Sequence, residues 1–149
     1  MTTHTFETEL WLPVPREKVF PFFADARNLE VITTPWLNFT VLTPGEIPMR
    51  AGAIIDYKLR IHGLPVRWRT EITEWKPPFK FCDEQLRGPY RRWTHLHTFE
   101  ERDGGTLCYD RVFYVVPGGA LVNHFFVRHD VKKIFDYRAE ALKKQFAPT

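Results

Sequence analysis

The residues best suited to chemistry lie between positions 81 and 99, in a stretch that reads as two strands of one hairpin. Alternation along the strands places Asp83 and Gln85 on the same face as His95 and His97. That face also carries three aromatic residues, Phe81, Trp93 and Phe99. Because aromatic side chains favour a covered surface, we expect the four polar side chains to be buried with them and to need hydrogen-bond partners.

Three roles are open to these polar side chains. They can form a structural network, in which the imidazoles are satisfied by Asp83, Gln85 or arginines of another element. They can instead fix the polar end of an otherwise apolar ligand. In the third role, His95 and His97 bind a metal ion or act as acid–base catalysts, since a His-x-His pair on one strand face can hold a metal. The spacing shows no third or fourth ligand, so the sequence predicts no metal and no cofactor.

The side chains of Asp110 and Arg111 must point to opposite faces of the strand predicted at residues 106–116. One parity turns Asp110 inward with Cys108, Val112 and Tyr114. The other turns Arg111 inward with Leu107, Tyr109, Phe113 and Val115. The second set is more apolar, so we expect Asp110 to face outward. An inward Asp110 would be able to pair with Arg128.

The longest segment with helical periodicity is residues 119–146. An apolar stripe follows one side of it: Leu121, Phe125, Val131, Phe135, Ala139, Leu142 and Phe146. Three basic residues interrupt this stripe: His124, Arg128 and Arg138. A buried charge is costly unless it is paired. The arginines therefore either extend their head groups to water or face a cavity with a partly polar lining.

The first turns of this helix are apolar on nearly every side, because Val122, Phe126 and Val127 add to the stripe. We expect loops, a ligand or a second protomer to cover them. A homodimer is thus possible, and a partner-binding regulatory module is one alternative for the function.

Strand-like alternation recurs along the chain, at residues 5–12, 38–43, 53–61, 66–75, 79–86, 90–101 and 106–116. Two short helices, at residues 16–24 and 25–32, follow the first strand, and short turns separate the later strands. The sequence therefore predicts an α+β fold, in which a curved antiparallel sheet of about seven strands wraps round the long C-terminal helix. Space between such a sheet and one helix is a natural ligand site.

We expect this space to have apolar walls and one polar zone. Its apolar walls should include Tyr57, Leu59, Trp68, Phe81, Trp93 and Phe135. Its polar zone should include Asp83, His95, His97 and Arg128. Strand alternation assigns most of these residues, and helical periodicity places Arg128 beside Phe135. The guanidinium of Arg128 would then hold a polar or anionic end of the ligand.

The composition is that of one soluble domain spanning residues 1–149, with 44% hydrophobic and 26% charged residues. The 13 Phe and 5 Trp residues suit an aromatic core or pocket. Net charge is +3, and basic residues alternate with acidic ones, so we expect no nucleic-acid partner. Cys82 and Cys108 read as buried thiols of a reduced, cytoplasmic protein. No signal peptide or membrane-spanning run is present, so we expect no integral membrane association.

Several motifs carry a family resemblance: W-L-P-V-P-R-E-K-V-F from Trp11, I-T-T-P-W-L-N-F from Ile32, G-P-Y-R-R-W-T-H-L-H-T-F from Gly88 and I-F-D-Y-R from Ile134. With them the chain resembles, over nearly its whole length, the START-like superfamily, also called SRPBCC or polyketide-cyclase-like. The resemblance implies the helix-grip fold. The subgroup it resembles most consists of bacterial proteins labelled cell-division-inhibitor-like or cyclase/dehydrase.

The resemblance and the aromatic content favour binding of a hydrophobic small molecule or lipid in an internal cavity. One alternative is an enzyme similar to polyketide cyclases or dehydratases. In such an enzyme His95 or His97 would be the general acid or base, and Arg128 would stabilise an enolate. The superfamily hosts lipid carriers, receptors and cyclases alike, so its fold does not choose between these functions.

Overall fold

Seven antiparallel strands form one sheet in the computed structural model of the protein, which describes residues 2–147. The strands are β1 His4–Leu12, β2 Thr40–Val41, β3 Ile54–Ile61, β4 Leu64–Lys76, β5 Lys80–Arg87, β6 Arg92–Arg102 and β7 Gly105–Val115. Their order in the sheet is β1-β7-β6-β5-β4-β3-β2. Consecutive strands from β2 to β7 are thus neighbours, and β1 forms an edge beside β7. The predicted α+β order, with its antiparallel meander and edge strand, is confirmed.

The hairpin between β6 and β7 shows how turn chemistry sets the register of the site. Asp103 and Gly104 both have positive φ angles, 51° and 76°. A two-residue turn of this kind requires positive φ at both central positions, which an Asp-Gly pair tolerates. Arg102 consequently pairs with Gly105, and the same register continues to His97 opposite Asp110. The inward faces of β6 and β7 follow from this turn.

Two short helices lie between β1 and β2: α1 spans Arg16–Phe23 and α2 spans Leu29–Ile32. The Asp25 side chain accepts a hydrogen bond from the Arg27 N–H at 3.0 Å, which caps the helical turn before α2. In α1, Phe20 packs on the inner face of β6, with ring centroids 5.3 Å from Phe99. These helices cover one end of the inner face of the sheet.

The C-terminal helix runs without a break from Gly119 to Gln145. It consists of α3, Gly119–Val122, a π-helical turn, Asn123–Val127, and α4, Arg128–Gln145. It lies against the inner face of the sheet, where Val131, Phe135 and Leu142 are buried. The arrangement is the expected helix-grip fold. Across residues 2–147, the helices lack the length and apolar character needed to cross a membrane.

The predicted stripe is wrong at the start of this helix, because Leu121 and Phe125 are 72% and 62% exposed. The inner positions before Val131 are instead Val127 and Asn123. A π-helical turn holds more residues than an α-helical turn, so it rotates the preceding residues relative to a strict 3.6-residue repeat. The rotation carries the two apolar side chains away from the sheet and into solvent.

Candidate functional site

A cavity of about 180 Å³ lies between the sheet and the C-terminal helix. Eight of the residues predicted to form a pocket line it: Tyr57, Leu59, Trp68, Asp83, Trp93, His95, His97 and Phe135. Further apolar lining comes from Leu37, Phe39, Val131 and Ile134. The volume is of the order of the ~150 Å³ apolar cavity that holds benzene in an engineered protein. It therefore suits at least one ring or a short alkyl chain.

Two predicted residues take other places. The Phe81 ring lies behind His97, stacked on its imidazole with centroids 4.0 Å apart, so it supports the wall. Arg128 is exposed on the surface of α4. Its position seven residues before Phe135 puts it on the same side of the helix but about 10 Å nearer the N-terminus. The helix residues that line the cavity begin at Asp130, so Arg128 lies beyond its end.

Arg138 occupies the place that the sequence assigned to Arg128. It lies on α4 one turn beyond Phe135 and lines the cavity, with 12% of its side chain exposed. Its guanidinium carbon lies 5.3 Å from the ring centre of Phe23 and 5.7 Å from that of Phe135. The cation is therefore held between two aromatic rings at the polar end of the cavity.

Four side chains form this polar end and a fifth, Asp110, contacts three of them without lining the cavity. These five are hereafter the polar cluster: Asp83, His95, His97, Asp110 and Arg138. Strands β5, β6 and β7 supply the first four, and α4 supplies the arginine. His95 Nε2 lies 2.8 Å from Asp110 Oδ1, and His97 Nε2 lies 2.7 Å from Asp83 Oδ2. The two imidazoles stack with centroids 3.6 Å apart. Each histidine is thus oriented by a carboxylate on a neighbouring strand.

The prediction that Asp110 faces outward is wrong, since this residue is only 9% exposed and faces inward with Cys108, Val112 and Tyr114. Its carboxylate is stabilised by the hydrogen bond with His95 and by the charge of Arg138, whose Nη2 lies 3.9 Å from Oδ1. The prediction that an inward Asp110 would pair with Arg128 is also wrong. Arg111 faces outward, where its Nε lies 2.7 Å from Glu7 Oε1 across the pair of β1 and β7.

Gln85 does not belong to the polar cluster. Its side-chain amide donates to the Tyr90 carbonyl at 2.7 Å, and its side-chain oxygen accepts from the Tyr90 N–H at 3.2 Å. Both bonds close the turn between β5 and β6. Its role is therefore to hold the hairpin that positions the cluster.

Burial and neighbouring charges fix the ionisation of the cluster. Burial opposes ionisation of Asp110, but Arg138 and the two histidines outweigh it and hold its pKa well below the usual range. Burial also opposes ionisation of Asp83, but the hydrogen bond from His97 together with the charges of the histidines and Arg138 lowers its pKa. Burial also opposes protonation of His97, yet its two carboxylate neighbours raise its pKa. Burial and the charge of His97 lower the pKa of His95 to about 4.

At neutral pH the cluster therefore holds two carboxylates, the Arg138 cation and a neutral His95 imidazole, while the raised pKa of His97 favours its protonated form. The buried Nε–H of Arg138 has no hydrogen-bond partner within residues 2–147. Nη2 of the same side chain lies 3.9 Å from Asp110 Oδ1, which is also too long for a hydrogen bond. His97 Nδ1 lies 3.4 Å from Asp110 Oδ1, but in a geometry that makes no hydrogen bond. The exposed part of the Arg138 side chain lines the cavity, and there a ligand acceptor would gain a charge-assisted hydrogen bond.

Asp83 is a third potential metal ligand that the residue spacing did not reveal. Ligand atoms of Asp83, His95 and His97 lie within 4.8 Å of one another. All three side chains already make hydrogen bonds, however. A metal would have to displace the proton that lies between His97 and Asp83. Arg138 adds a positive charge nearby. The arrangement is explained as a hydrogen-bond network, and the absence of a structural metal stays a prediction.

The lowered pKa of His95 predicts a loss of stability in weak acid. Between pH 6.5 and pH 4.5 the unfolded chain protonates this residue while the folded chain keeps it neutral, so unfolding becomes easier as pH falls. The loss should be roughly 2–3 kcal/mol. His97 has a raised pKa, so its stabilisation is complete below pH 6.5 and declines only above it, while Asp83 and Asp110 lose theirs only below about pH 4.

Urea denaturation at pH 6.5 and pH 4.5 measures this loss. His95→Gln should remove most of it, and His129→Gln, which changes an exposed histidine, should leave it intact. An unchanged pH dependence in His95→Gln would show that the buried imidazole is already protonated in the folded protein.

Most of the chain matches one protein family. Residues 12–143 match the family described as "Polyketide cyclase / dehydrase and lipid transport". No curated protein sequence matches the chain.

Three similar crystal structures come from proteins of low sequence identity. Ara h 8.0201 is 19% identical, with a TM-score of 0.72 and coverage of 97% of this chain and 98% of that one. Protein Ms6760 from Mycobacterium smegmatis is 21% identical, with a TM-score of 0.70 and coverage of 95% and 89%. Protein CV1439 from Chromobacterium violaceum is 13% identical, with a TM-score of 0.76 and coverage of 97% and 99%. At these identities the likeness shows the fold.

The family match spans most of the chain, and the cavity and fold agree with the resemblance found in the sequence. The protein therefore belongs to the polyketide cyclase / dehydrase and lipid transport family of the START-like (SRPBCC) superfamily.

Proposed function

We propose that this protein binds a hydrophobic small molecule or lipid in the cavity between the sheet and the C-terminal helix. The observation that supports this most is an apolar cavity that ends at Arg138, whose side chain lines it and is 12% exposed. Aromatic and aliphatic walls stabilise an apolar body by about 25 cal/mol for each Å² removed from water. The arginine fixes the orientation of the ligand, because an acceptor at its exposed part gains a charge-assisted hydrogen bond.

The charges of the polar cluster favour a neutral acceptor. Asp83 and Asp110 are ionised and already offset the positive charge of Arg138. A ligand carboxylate would add a third negative charge beside Asp110, which would weaken its interaction with Arg138. A hydroxyl or carbonyl group takes the same hydrogen bond without that repulsion. The ligand we propose has an apolar body and one neutral oxygen.

The opening of the cavity lies between the hairpin joining β3 to β4 and the start of α4. His62, at the tip of the hairpin, contacts Asp130 on α4 with Nε2 and Oδ2 2.8 Å apart. Asp130 lines the cavity, as do the partly exposed Trp36 and Ile134. A ligand would enter beside this contact.

A neutral fluorescent probe, N-phenyl-1-naphthylamine, tests the proposal. We expect saturable binding at one site in the unmodified protein. Ile134→Trp fills the cavity at its opening and should weaken binding at least tenfold, since it removes apolar volume that the probe needs. The matched control is Glu140→Trp, which adds the same ring to the solvent side of α4, where Glu140 is 68% exposed.

Equal binding by the two tryptophan variants would place the probe outside the cavity, and no saturable binding would contradict the proposal itself. Displacement of the probe by a long-chain alcohol and by the carboxylate of the same length tests the polar end. The alcohol should displace it at lower concentration in the unmodified protein, and Arg138→Met should remove the difference.

An acid–base enzyme is the second candidate. The pairing of His95 with Asp110 resembles the orientation of a catalytic histidine by a carboxylate, and the family description includes cyclases and dehydrases. Acid–base groups work best with a pKa near the operating pH. A pKa of about 4 makes His95 a weak base at pH 7, which favours binding over this chemistry. Turnover of a polyketide analogue that is abolished in His95→Gln would reverse this preference.

A further inference from the structure

Exposed apolar side chains cluster where the C-terminal helix begins. Leu121, Phe125 and Phe126 are 72%, 62% and 64% exposed. Single exposed apolar residues are common on proteins, whereas a contiguous group marks a surface that meets something else. Within residues 2–147 no other element covers these three side chains.

A fourth exposed apolar residue lies on the facing element. Leu64, at the start of β4, is 69% exposed and follows the hairpin tip whose His62 contacts Asp130. Phe126 precedes Asp130 by four residues, about one helical turn. The hairpin tip and the start of the helix thus form one edge beside the cavity opening. We call Leu64, Leu121, Phe125 and Phe126 the apolar rim.

Uncompensated positive charge flanks the apolar rim. Lys58 of β3 and Arg67 of β4 are directly opposite in the register, an arrangement that is destabilising for like charges. Arg60 follows on the same outer face, while Arg128 and Lys133 extend from the helix. None of these five has an ion-pair partner within 4.0 Å in the described part of the chain. Charge of this kind complements an anionic occupant.

We propose that the apolar rim docks on an anionic lipid bilayer. Apolar tips from two elements, bordered by lysine and arginine, match the boundary of a bilayer, where apolar side chains reach the acyl chains and cations lie at phosphate level. Lys58 and Arg67 retain an unfavourable proximity in the free protein that lipid phosphates would relieve. Docking would bring the cavity opening to the membrane surface, although the inference does not depend on what the cavity binds.

Vesicle flotation of the full chain tests this inference. Vesicles of phosphatidylcholine with phosphatidylglycerol should carry the protein upward at low salt, and vesicles of phosphatidylcholine alone should carry much less. Phe126→Ser should lower the partition about tenfold, as expected for withdrawing one phenyl ring from an apolar phase. The matched control, Phe79→Ser, changes a ring that is 54% exposed at the far end of β4 and should bind like the unmodified protein.

Charge reversal provides the second arm. Lys58→Glu with Arg67→Glu should abolish binding to the anionic vesicles, while Lys18→Glu with Lys144→Glu, at exposed positions on other faces, should reduce it only slightly. All variants change exposed residues, and thermal unfolding confirms that they fold.

Failure to float with anionic vesicles would overturn the proposal, as would equal losses in Phe126→Ser and Phe79→Ser. Binding of a second copy of the protein to the apolar rim would give a different result. If the unmodified chain forms a dimer in sedimentation, and Phe126→Ser makes it monomeric without changing flotation, the rim is an interface between copies and the bilayer proposal is wrong.

Discussion

Asp110→Asn is expected to lower the free energy of unfolding by about 3–5 kcal/mol, a large part of the stability of a domain this size. Asp110 is buried and lies 2.8 Å from His95, 3.4 Å from His97 and 3.9 Å from Arg138. The asparagine keeps the shape but removes the negative charge. Arg138 and His97 then remain buried with Asp83 as their only carboxylate in the polar cluster.

The matched control is Asp136→Asn, which removes a carboxylate from α4 where the side chain is 64% exposed and pairs with Lys132. Exposed pairs of this kind contribute about 0–1 kcal/mol, so we expect almost no change. Urea denaturation at pH 7 measures both variants. A loss below 1 kcal/mol for Asp110→Asn would mean that the cluster is hydrated and that Arg138 has another source of compensation.

Strand alternation predicted most of the site because each inner face carries a steady apolar pattern. On β3, Ile55, Tyr57 and Leu59 are buried as their spacing of two requires. The same rule placed His95 and His97 inside, since they alternate with exposed or half-buried residues between Trp93 and Phe99. Turn residues such as Asp103 and Gly104 then set how the strands align.

The assignment of Asp110 failed for a reason that lies on other strands. Parity was decided by counting apolar residues in β7, and the outward set contains Tyr109 and Phe113. Those two rings cover the guanidinium of Arg111 on the outer face, with its central carbon 5.6 Å and 6.0 Å from their centres. The charge of Asp110 is balanced by partners on β6 and α4. These partners cannot be identified from β7 alone.

The choice of Arg128 over Arg138 failed because helical periodicity shows which side of a helix faces the sheet, but not which part of its length the cavity covers. Both arginines lie near the stripe, but the cavity extends along the helix only from Asp130 to Arg138. Where it begins depends on the hairpin tip and on the loop that carries Trp36. The π-helical turn at Asn123–Val127 also shifts the helical repeat, and no residue type in the segment predicts this shift.

Phe135→Ala is the second large effect, with an expected loss of about 3–5 kcal/mol in the free energy of unfolding. The ring is 6% exposed and packs on Phe6 of β1, with centroids 4.9 Å apart, and on His95, 5.4 Å away. It also lies under Arg138. Its removal costs the contacts that tie the middle of the C-terminal helix to the sheet and enlarges a space that is already open.

Tyr137→Ala is the control on the same helix, since Tyr137 is 37% exposed and its truncation should cost much less, about 1 kcal/mol or below. A second measurement separates lost packing from general damage to the fold. Because Phe135 lines the cavity, its truncation should let the cavity accept a probe larger than N-phenyl-1-naphthylamine, while Tyr137→Ala should keep the size limit of the unmodified protein. If Phe135→Ala lost less than 1 kcal/mol and kept that limit, the helix would be held by its ends, through Val131 and Leu142, and the cavity wall would lie elsewhere.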